Sequence, residues 1–182
     1  NKGAGMANGK FFLFLNAGDS LHEDFNLDSL LKELDGSGID MAWGRTSMQY
    51  PDGSFGVKKI RGPSWAWYGM PVCHQSVLFS RDIFADSQYD TSLEVAADYD
   101  LIAAGLAANA RVHLHDAVIS VHVAGGLSQR DKHRSLAEER RVRSRHFGVP
   151  PWLSLLISGF RLQLWKLSDA SPGFNRLWRK RL

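Results

Sequence analysis

Asp19 stands where an apolar run stops. Phe11, Phe12, Leu13, Phe14 and Leu15 follow one another without a polar residue, the pattern of a strand covered on both faces. Asn16-Ala17-Gly18-Asp19 then forms a short polar turn. In open α/β sheets ligands settle in the crevice outside the carboxyl ends of the strands. A carboxylate at that place is a hard oxygen donor for a divalent cation, and the cation can carry a diphosphate. A second acidic group, Ala96-Ala97-Asp98-Tyr99-Asp100, lies at the start of an expected helix. Two residues apart on a helix, Asp98 and Asp100 point well away from each other and cannot share one task. Plainer readings stay open for all three. Asp19 is equally readable as the cap of a helix over 21–34, Asp98 as a carboxylate stabilised by the helix dipole, and Asp100 as the partner of backbone or of a basic neighbour.

The elements that must position these groups read as alternating strands and helices. Leu27, Leu30, Leu31 and Leu34 recur at helical spacing, and Asp35-Gly36-Ser37-Gly38 ends that helix. A short strand is expected over 39–43, and a hairpin over 46–60 turning at Pro51-Asp52-Gly53. Residues 62–71 hold Trp65, Trp67 and Tyr68 among glycine and proline, a loop whose rings either pack inward or offer a stacking face. A strand over 72–79 carries Cys73, His74 and Gln75, with a short helix over 81–85 behind it. The spacing of Leu101, Ile102 and Leu106 predicts a helix over 94–107, and a strand pair is expected over 111–114 and 117–123, the latter holding His122.

At 182 residues and 44% hydrophobic content the chain suits one α/β domain with a real core. The single cysteine, Cys73, excludes an internal disulfide and a thiolate zinc site, which points to a reducing, cytoplasmic setting. No secretory leader or spanning segment is visible. The opening, without an initiating methionine and running at once into an unpaired strand, gives the expectation that an amino-terminal part precedes Asn1. Charge divides the chain. Residues 1–128 hold 9 basic against 15 acidic side chains, and residues 129–182 hold 13 against 4, so an acidic body is followed by a basic tail suited to an anionic surface. In that tail a charged helix over 129–146 is broken by Gly148-Val149-Pro150-Pro151. The stretch 152–167 is apolar with only Arg161 and Lys166. It either lies in a lipid headgroup layer, with Trp178–Leu182 as a second anchor, or completes a core with chain outside this sequence. Basic residues interleaved with Trp and Leu speak for membrane rather than nucleic acid.

Three separated motifs converge on one family. The stretch from Asn1 to Asp19 (NKGAGMANGKFFLFLNAGD), the segment from Met70 to Phe84 (MPVCHQSVLFSRDIF) and the segment from Tyr89 to Leu106 (YDTSLEVAADYDLIAAGL) resemble, in that order, family 2 glycosyltransferases of the GT-A fold, of the bacterial colanic-acid, capsule and exopolysaccharide type. Val121 to Gln129 (VHVAGGLSQ) is similar to the Gly-Gly-x-Ser ending of that catalytic domain. The resemblance covers roughly residues 1–129. It implies that the initial nucleotide-binding strand, turn and aspartate lie before Asn1, so that base and ribose contacts have no residues here and this chain alone binds donor poorly.

The same resemblance implies the roles. A nucleotide-sugar donor gives its sugar to a saccharide or lipid-linked acceptor; inversion is expected because one base with no nucleophile beside it suits a single displacement, and the tail's residues, not the resemblance, point to the inner-membrane surface and away from nucleic acid. Mg²⁺ or Mn²⁺ would be held by Asp19 as the last acid of an Asp-x-Asp-type motif, with His122 as a further ligand. Asn16 and Gly18 stand where many relatives carry acids, so affinity for the cation would be modest. Asn1, Lys2 and Gly3, with Asn16 and Gly18, would approach the donor. Asp98 takes the general-base position; His74 and Gln75 would line the acceptor side or the phosphates, His74 being as readable as a satisfied core histidine, and the ring of Trp67 offers the acceptor sugar a stacking face on its own chemistry. Two alternatives remain: a sugar nucleotidyltransferase, whose glycine-rich, lysine-bearing loop is not seen in this sequence, and an inactive module that binds carbohydrate or tethers a partner to membrane.

Overall fold

A computed structural model describes residues 1–126 and 130–170, apart from the side chains of Asp86 and Asp169; Trp178–Leu182 and the end of the Gly-Gly-x-Ser segment lie outside the described residues. The strands are β1 (Phe11–Leu13), β2 (Ser20–Leu21), β3 (Met41–Gln49), β4 (Phe55–Lys58), β5 (Val77–Ser80) and β6 (Val112–Val123). The helices are α1 (Lys2–Met6), α2 (Leu27–Leu34), α3 (Arg81–Asp86), α4 (Ala97–Ala107), α5 (Lys132–Phe147) and α6 (Pro151–Ala170). The strands form one mixed sheet in the order β1-β5-β3-β6-β2, with β4 also on β3. Among the described residues only β3 and β6 are parallel neighbours. Since β5 is antiparallel to both β1 and β3, β1, β3 and β6 run the same way; Leu13 ends β1 level with Ala42 and His113, while β3 and β6 run on together to Gln49 and Val123.

The period-two alternation of the strands divides the core. Phe12, Met41, Trp43, Val77 and Phe79 face Ile83 and Phe84 of α3 and Leu101 and Ile102 of α4. Ala42, Leu78 and Ile119 face Leu30 and Leu34 of α2. A third cluster joins Tyr99 and Ala103 of α4 to Val142 of α5. The sheet is thus covered on both sides, as an α/β reading requires.

Several expectations change. The strand expected over 11–15 ends at Leu13 and lies at a sheet edge with only Phe12 fully buried, because β1 has a single neighbour; Phe14 leaves the ladder and packs on Phe79, Phe84 and Tyr89. The helix expected over 21–34 begins at Leu27, where the Asn26 side chain accepts from Ser29 N–H at 2.9 Å; Ser20 and Leu21 pair with β6 instead. The first half of the strand expected over 72–79 is a 3₁₀ turn, His74–Ser76. The hairpin turning at Pro51-Asp52-Gly53 is present as β3–β4.

The two strands expected over 111–123 are one. The β3–β6 register shifts on both sides of Arg45, opposite extra residues of β6 around His115–Ala117, so a bulge accounts for the polar interruption. Gly44 sits at this irregularity, where a Cβ would fall 2.3 Å from the buried Ile119 side chain and 3.2 Å from Ala117 O. Gly44→Ala is therefore expected to lower stability by about 1–3 kcal/mol, seen as a lower denaturant midpoint at unchanged slope; an unchanged midpoint would show that Ile119 yields freely.

Candidate active site

The turn after β1 places Asp19. Asp19 N–H donates to Asn16 O at 3.0 Å, and Gly18 adopts φ +93°, a conformation that favours glycine. The carboxylate is thereby laid over the end of β6. Oδ1 lies 2.9 Å from His122 Nδ1 and accepts from Val123 N–H at 3.3 Å. Oδ2 accepts from Gln75 Nε2 at 3.1 Å and from Asn16 N–H at 3.3 Å. Its side chain is 3% exposed. Burial pushes the carboxyl pKa up, but the hydrogen bonds from His122 and Gln75, the His122 charge and Val123 N–H outweigh it and hold the group below its ordinary value. Asp19 caps no helix; the capping alternative is removed by the start of α2 at Leu27.

β5 runs against β1 and β6, so the 3₁₀ turn that precedes it lies at the same end of the sheet. His74 and Gln75 enter the site from this turn. Ser76 anchors it: its hydroxyl lies 2.7 Å from both Thr46 Oγ1 and Ser120 Oγ and donates to Arg45 O at 2.9 Å. Asn16 Nδ2 lies 3.3 Å from His74 Nε2, and His74 Nδ1 lies 2.9 Å from Asp98 Oδ2. With Nε2 accepting from the amide, Nδ1 carries the proton and donates it to Asp98. The Tyr89 hydroxyl also donates to Asp98, and burial, with the Asp98 charge beside it, raises the phenol pKa far above the ordinary value, so it remains a neutral donor. Asp19 and Asp98 thus belong to one hydrogen-bonded group, joined through Asn16 and His74. Asp98, with its side chain 29% exposed, is the more open of the two.

Helix α4 carries Asp98 in its first turn, and its start is fixed from outside. No side chain of its own caps it. Glu138 of α5 accepts Glu94 N–H through Oε1 at 3.2 Å, and Val95 and Ala96 N–H through Oε2 at 2.8 and 2.9 Å. That is why the helix begins at Ala97 and not at Glu94. Burial raises the Glu138 pKa, yet the three amide donors and Arg134 lower it further, to below the ordinary carboxylate value. A folded-state pKa depressed in this way adds stability that is present above the unfolded value and lost as pH falls through the folded one. Glu138→Gln is expected to lose about 1.5–3 kcal/mol at neutral pH and to flatten the acid limb of the stability curve below pH about 4.5; equal acid limbs would contradict this capping role. Asp100 turns to the other side of α4, against His146 Nε2 at 2.8 Å and Arg145 Nη1 at 3.2 Å, a basic partnership as expected.

The remaining sequence-derived residues fall into two sets. Asn1 reaches the site through Tyr89: its Nδ2 donates to Tyr89 O at 3.0 Å and its Oδ1 accepts Tyr89 N–H at 2.9 Å. Lys2 and Gly3 are exposed on α1. Trp67 is exposed beside Tyr68, with ring centroids 6.1 Å apart, and makes no hydrogen bond to the acidic pair. Tyr89, Ser76, Thr46 and Ser120 carry no mark in the sequence, since nothing local tells that a tyrosine in a turn or hydroxyls within strands converge on one site.

The donor set suits a divalent cation. Asp19 Oδ1 and His122 Nδ1, 2.9 Å apart, are a carboxylate oxygen and an imidazole nitrogen on one side of the site, ligand types that a divalent cation takes, and Gln75 Nε2 lies 2.9 Å from the same Nδ1.

The fold is shared with a glycosyltransferase. The S. aureus glycosyltransferase TarS, residues 1–349 in complex with UDP, superposes with a TM-score of 0.56 at 15% sequence identity, covering 87% of this chain. This chain spans 47% of that one. It matches no protein-family model and no curated protein.

Proposed function

We propose that residues 1–128 are the C-terminal portion of a GT-A, family 2 glycosyltransferase catalytic domain that moves a sugar from a nucleoside-diphosphate donor to a saccharide or lipid-linked acceptor of a bacterial surface polysaccharide. One observation carries the reading: Asp19 and Asp98 lie in a single hydrogen-bonded group at the carboxyl end of β6, reached by the turn that follows β1. The UDP complex of TarS agrees with a nucleotide-sugar donor.

In this proposal Asp19 and His122 hold Mg²⁺ or Mn²⁺. The cation supplies charge neutralisation to the diphosphate leaving group. Gln75 and the Val123 and Asn16 amides orient the Asp19 carboxylate, and Gly18 gives the turn its close approach to the donor. Asn1, Lys2 and Gly3 flank the donor side, with Asn1 holding Tyr89. Asp98, oriented by His74 and Tyr89, takes the proton of the acceptor hydroxyl. The acceptor oxygen bonds to the anomeric carbon as the carbon–oxygen bond to the diphosphate breaks, and the nucleoside diphosphate leaves with that electron pair. With one base and no nucleophile placed beside a base, a single inverting displacement is the fitting course. Trp67 supplies a ring for stacking on the acceptor sugar.

The proposed membrane contact rests on α6. Trp152, Leu155, Leu156, Phe160 and Leu167 are exposed along one stripe, whereas Ser154 and Ser158 on the other side bind Arg143 of α5. No described helix is long and apolar enough to cross a membrane, so the stripe is assigned to the headgroup layer. The test of the whole reading is release of nucleoside diphosphate from a panel of UDP- and GDP-sugars by the complete gene product. Metal-dependent release that EDTA abolishes is expected. No release from any donor, with or without acceptor glycans and anionic vesicles, would replace it with the inactive binding module.

A further inference from the structure

A second group of ligating side chains lies away from this site. His113 and His115 project from the same face of β6, two residues apart, with ring centroids 6.0 Å apart. Glu33 of α2 meets both: its Oε2 is 3.5 Å from His113 Nε2 and 3.6 Å from His115 Nδ1. The three ligand atoms lie within 4.8 Å of one another, and among the described residues this is the one group of three that could hold a metal ion. His113 Nε2 is buried and has no hydrogen-bond partner. His113 lies opposite Ala42 and His122 opposite Met48 on β3, so the group lies roughly 15–20 Å along the sheet from the acidic pair.

We propose that Glu33, His113 and His115 form a site for a borderline divalent transition metal of the zinc class, which clips α2 to β6. Two imidazoles and one carboxylate are the donors that zinc takes in three-ligand sites, leaving a fourth position open to solvent. Bonds of about 2.0–2.2 Å at tetrahedral angles place neighbouring ligand atoms about 3.4 Å apart, close to the two observed separations from Glu33. The third edge, between the two imidazoles, is no longer than 4.8 Å, and Glu33 is exposed on α2. Phe25 packs edge-on against the His115 ring at 6.3 Å and supports it. The bound ion would give His113 Nε2 the partner it lacks and would tie down the smaller face of the sheet, where Leu30 and Leu34 meet Ala42 and Ile119. The sequence Val112-His113-Leu114-His115 within a strand is its local mark.

The test is a calorimetric titration of the metal-stripped chain with Zn²⁺, together with thermal melts. Saturable binding is expected, with a rise in Tm by linkage. His113→Gln and the milder Glu33→Gln should each weaken binding by about tenfold or more, with circular dichroism showing the folded chain, while His122→Gln retains the Tm rise. Undiminished zinc affinity in both Glu33→Gln and His113→Gln, absence of saturable binding in the unaltered chain, or loss of binding in His122→Gln alone would overturn the proposal. None of these outcomes bears on donor turnover.

Discussion

Asp98→Asn is expected to lower the turnover of sugar transfer by roughly 10²–10⁴-fold while leaving affinity for the nucleotide unchanged. Asparagine keeps the shape of the side chain, and its oxygen still accepts from Tyr89 and from His74 Nδ1, which lies 2.9 Å from Asp98 Oδ2. Its amide cannot take a proton from a hydroxyl. The loss should therefore fall on turnover, not on the Michaelis constant for donor, and the fold should be unaffected. His74→Gln offers a contrast. His74 orients Asp98 through Nδ1 and meets Asn16 through Nε2, so it is a positioning residue whose removal should lower turnover less than Asp98→Asn and shift the pH profile. Asp98→Asn turning over at the unaltered rate would remove Asp98 from the chemistry.

The largest loss of stability is expected from Arg143→Ala. Arg143 is fully buried and donates four hydrogen bonds: Nε to Ser154 Oγ at 2.9 Å, Nη2 to Ser158 Oγ at 2.9 Å, and Nη1 to Tyr68 O at 3.0 Å and Glu139 Oε2 at 3.2 Å. Burial lowers the guanidinium pKa, and Glu139 beside it opposes that. One side chain thus fastens α5 to α6 and to the aromatic loop. Arg161 also pairs with Glu139, yet it cannot replace the contacts to the two serines and to Tyr68. Removal leaves buried polar groups without partners, and about 3–5 kcal/mol should be lost, read as a large fall in the denaturant midpoint. Because Tyr99 and Ala103 of α4 pack on Val142 of α5, part of the loss should reach the helix that carries Asp98. A change below about 1 kcal/mol, the scale of an exposed pair, would show that the network is not closed in solution.

How much of this was legible in the residues differs from element to element. The alternation that fixes the core was readable, because strands and amphipathic helices bury what their periods dictate. The Pro51-Asp52-Gly53 hairpin was readable from its turn chemistry. Strand limits were not. Phe11 to Leu15 has the composition of a central strand, yet β1 is an edge strand, and position in the sheet is a property of the whole chain. Residues 111–123 were divided because a bulge and a break look alike in sequence. The start of α4 was misplaced because its cap, Glu138, comes from 42 residues away relative to Ala96. Asp19, Asp98, His74, Gln75 and His122 were named from motif order, and the structure joins them in one hydrogen-bonded group. Tyr89 and the Ser76 hydroxyl network were not, since their convergence needs three strands to be in place. The Glu33–His113–His115 group was missed for a related reason: its carboxylate comes from a different element.

Asp19 and Asp98 are proposed to serve one site with separate tasks, and calorimetric titration of UDP tests this most directly. The complete gene product, Asp19→Asn and Asp98→Asn would each be titrated with and without Mn²⁺. The account predicts that Mn²⁺ strengthens UDP binding in the unaltered protein and in Asp98→Asn, and that Asp19→Asn loses this metal-dependent gain. A gain retained in Asp19→Asn, or lost in Asp98→Asn alone, would contradict it.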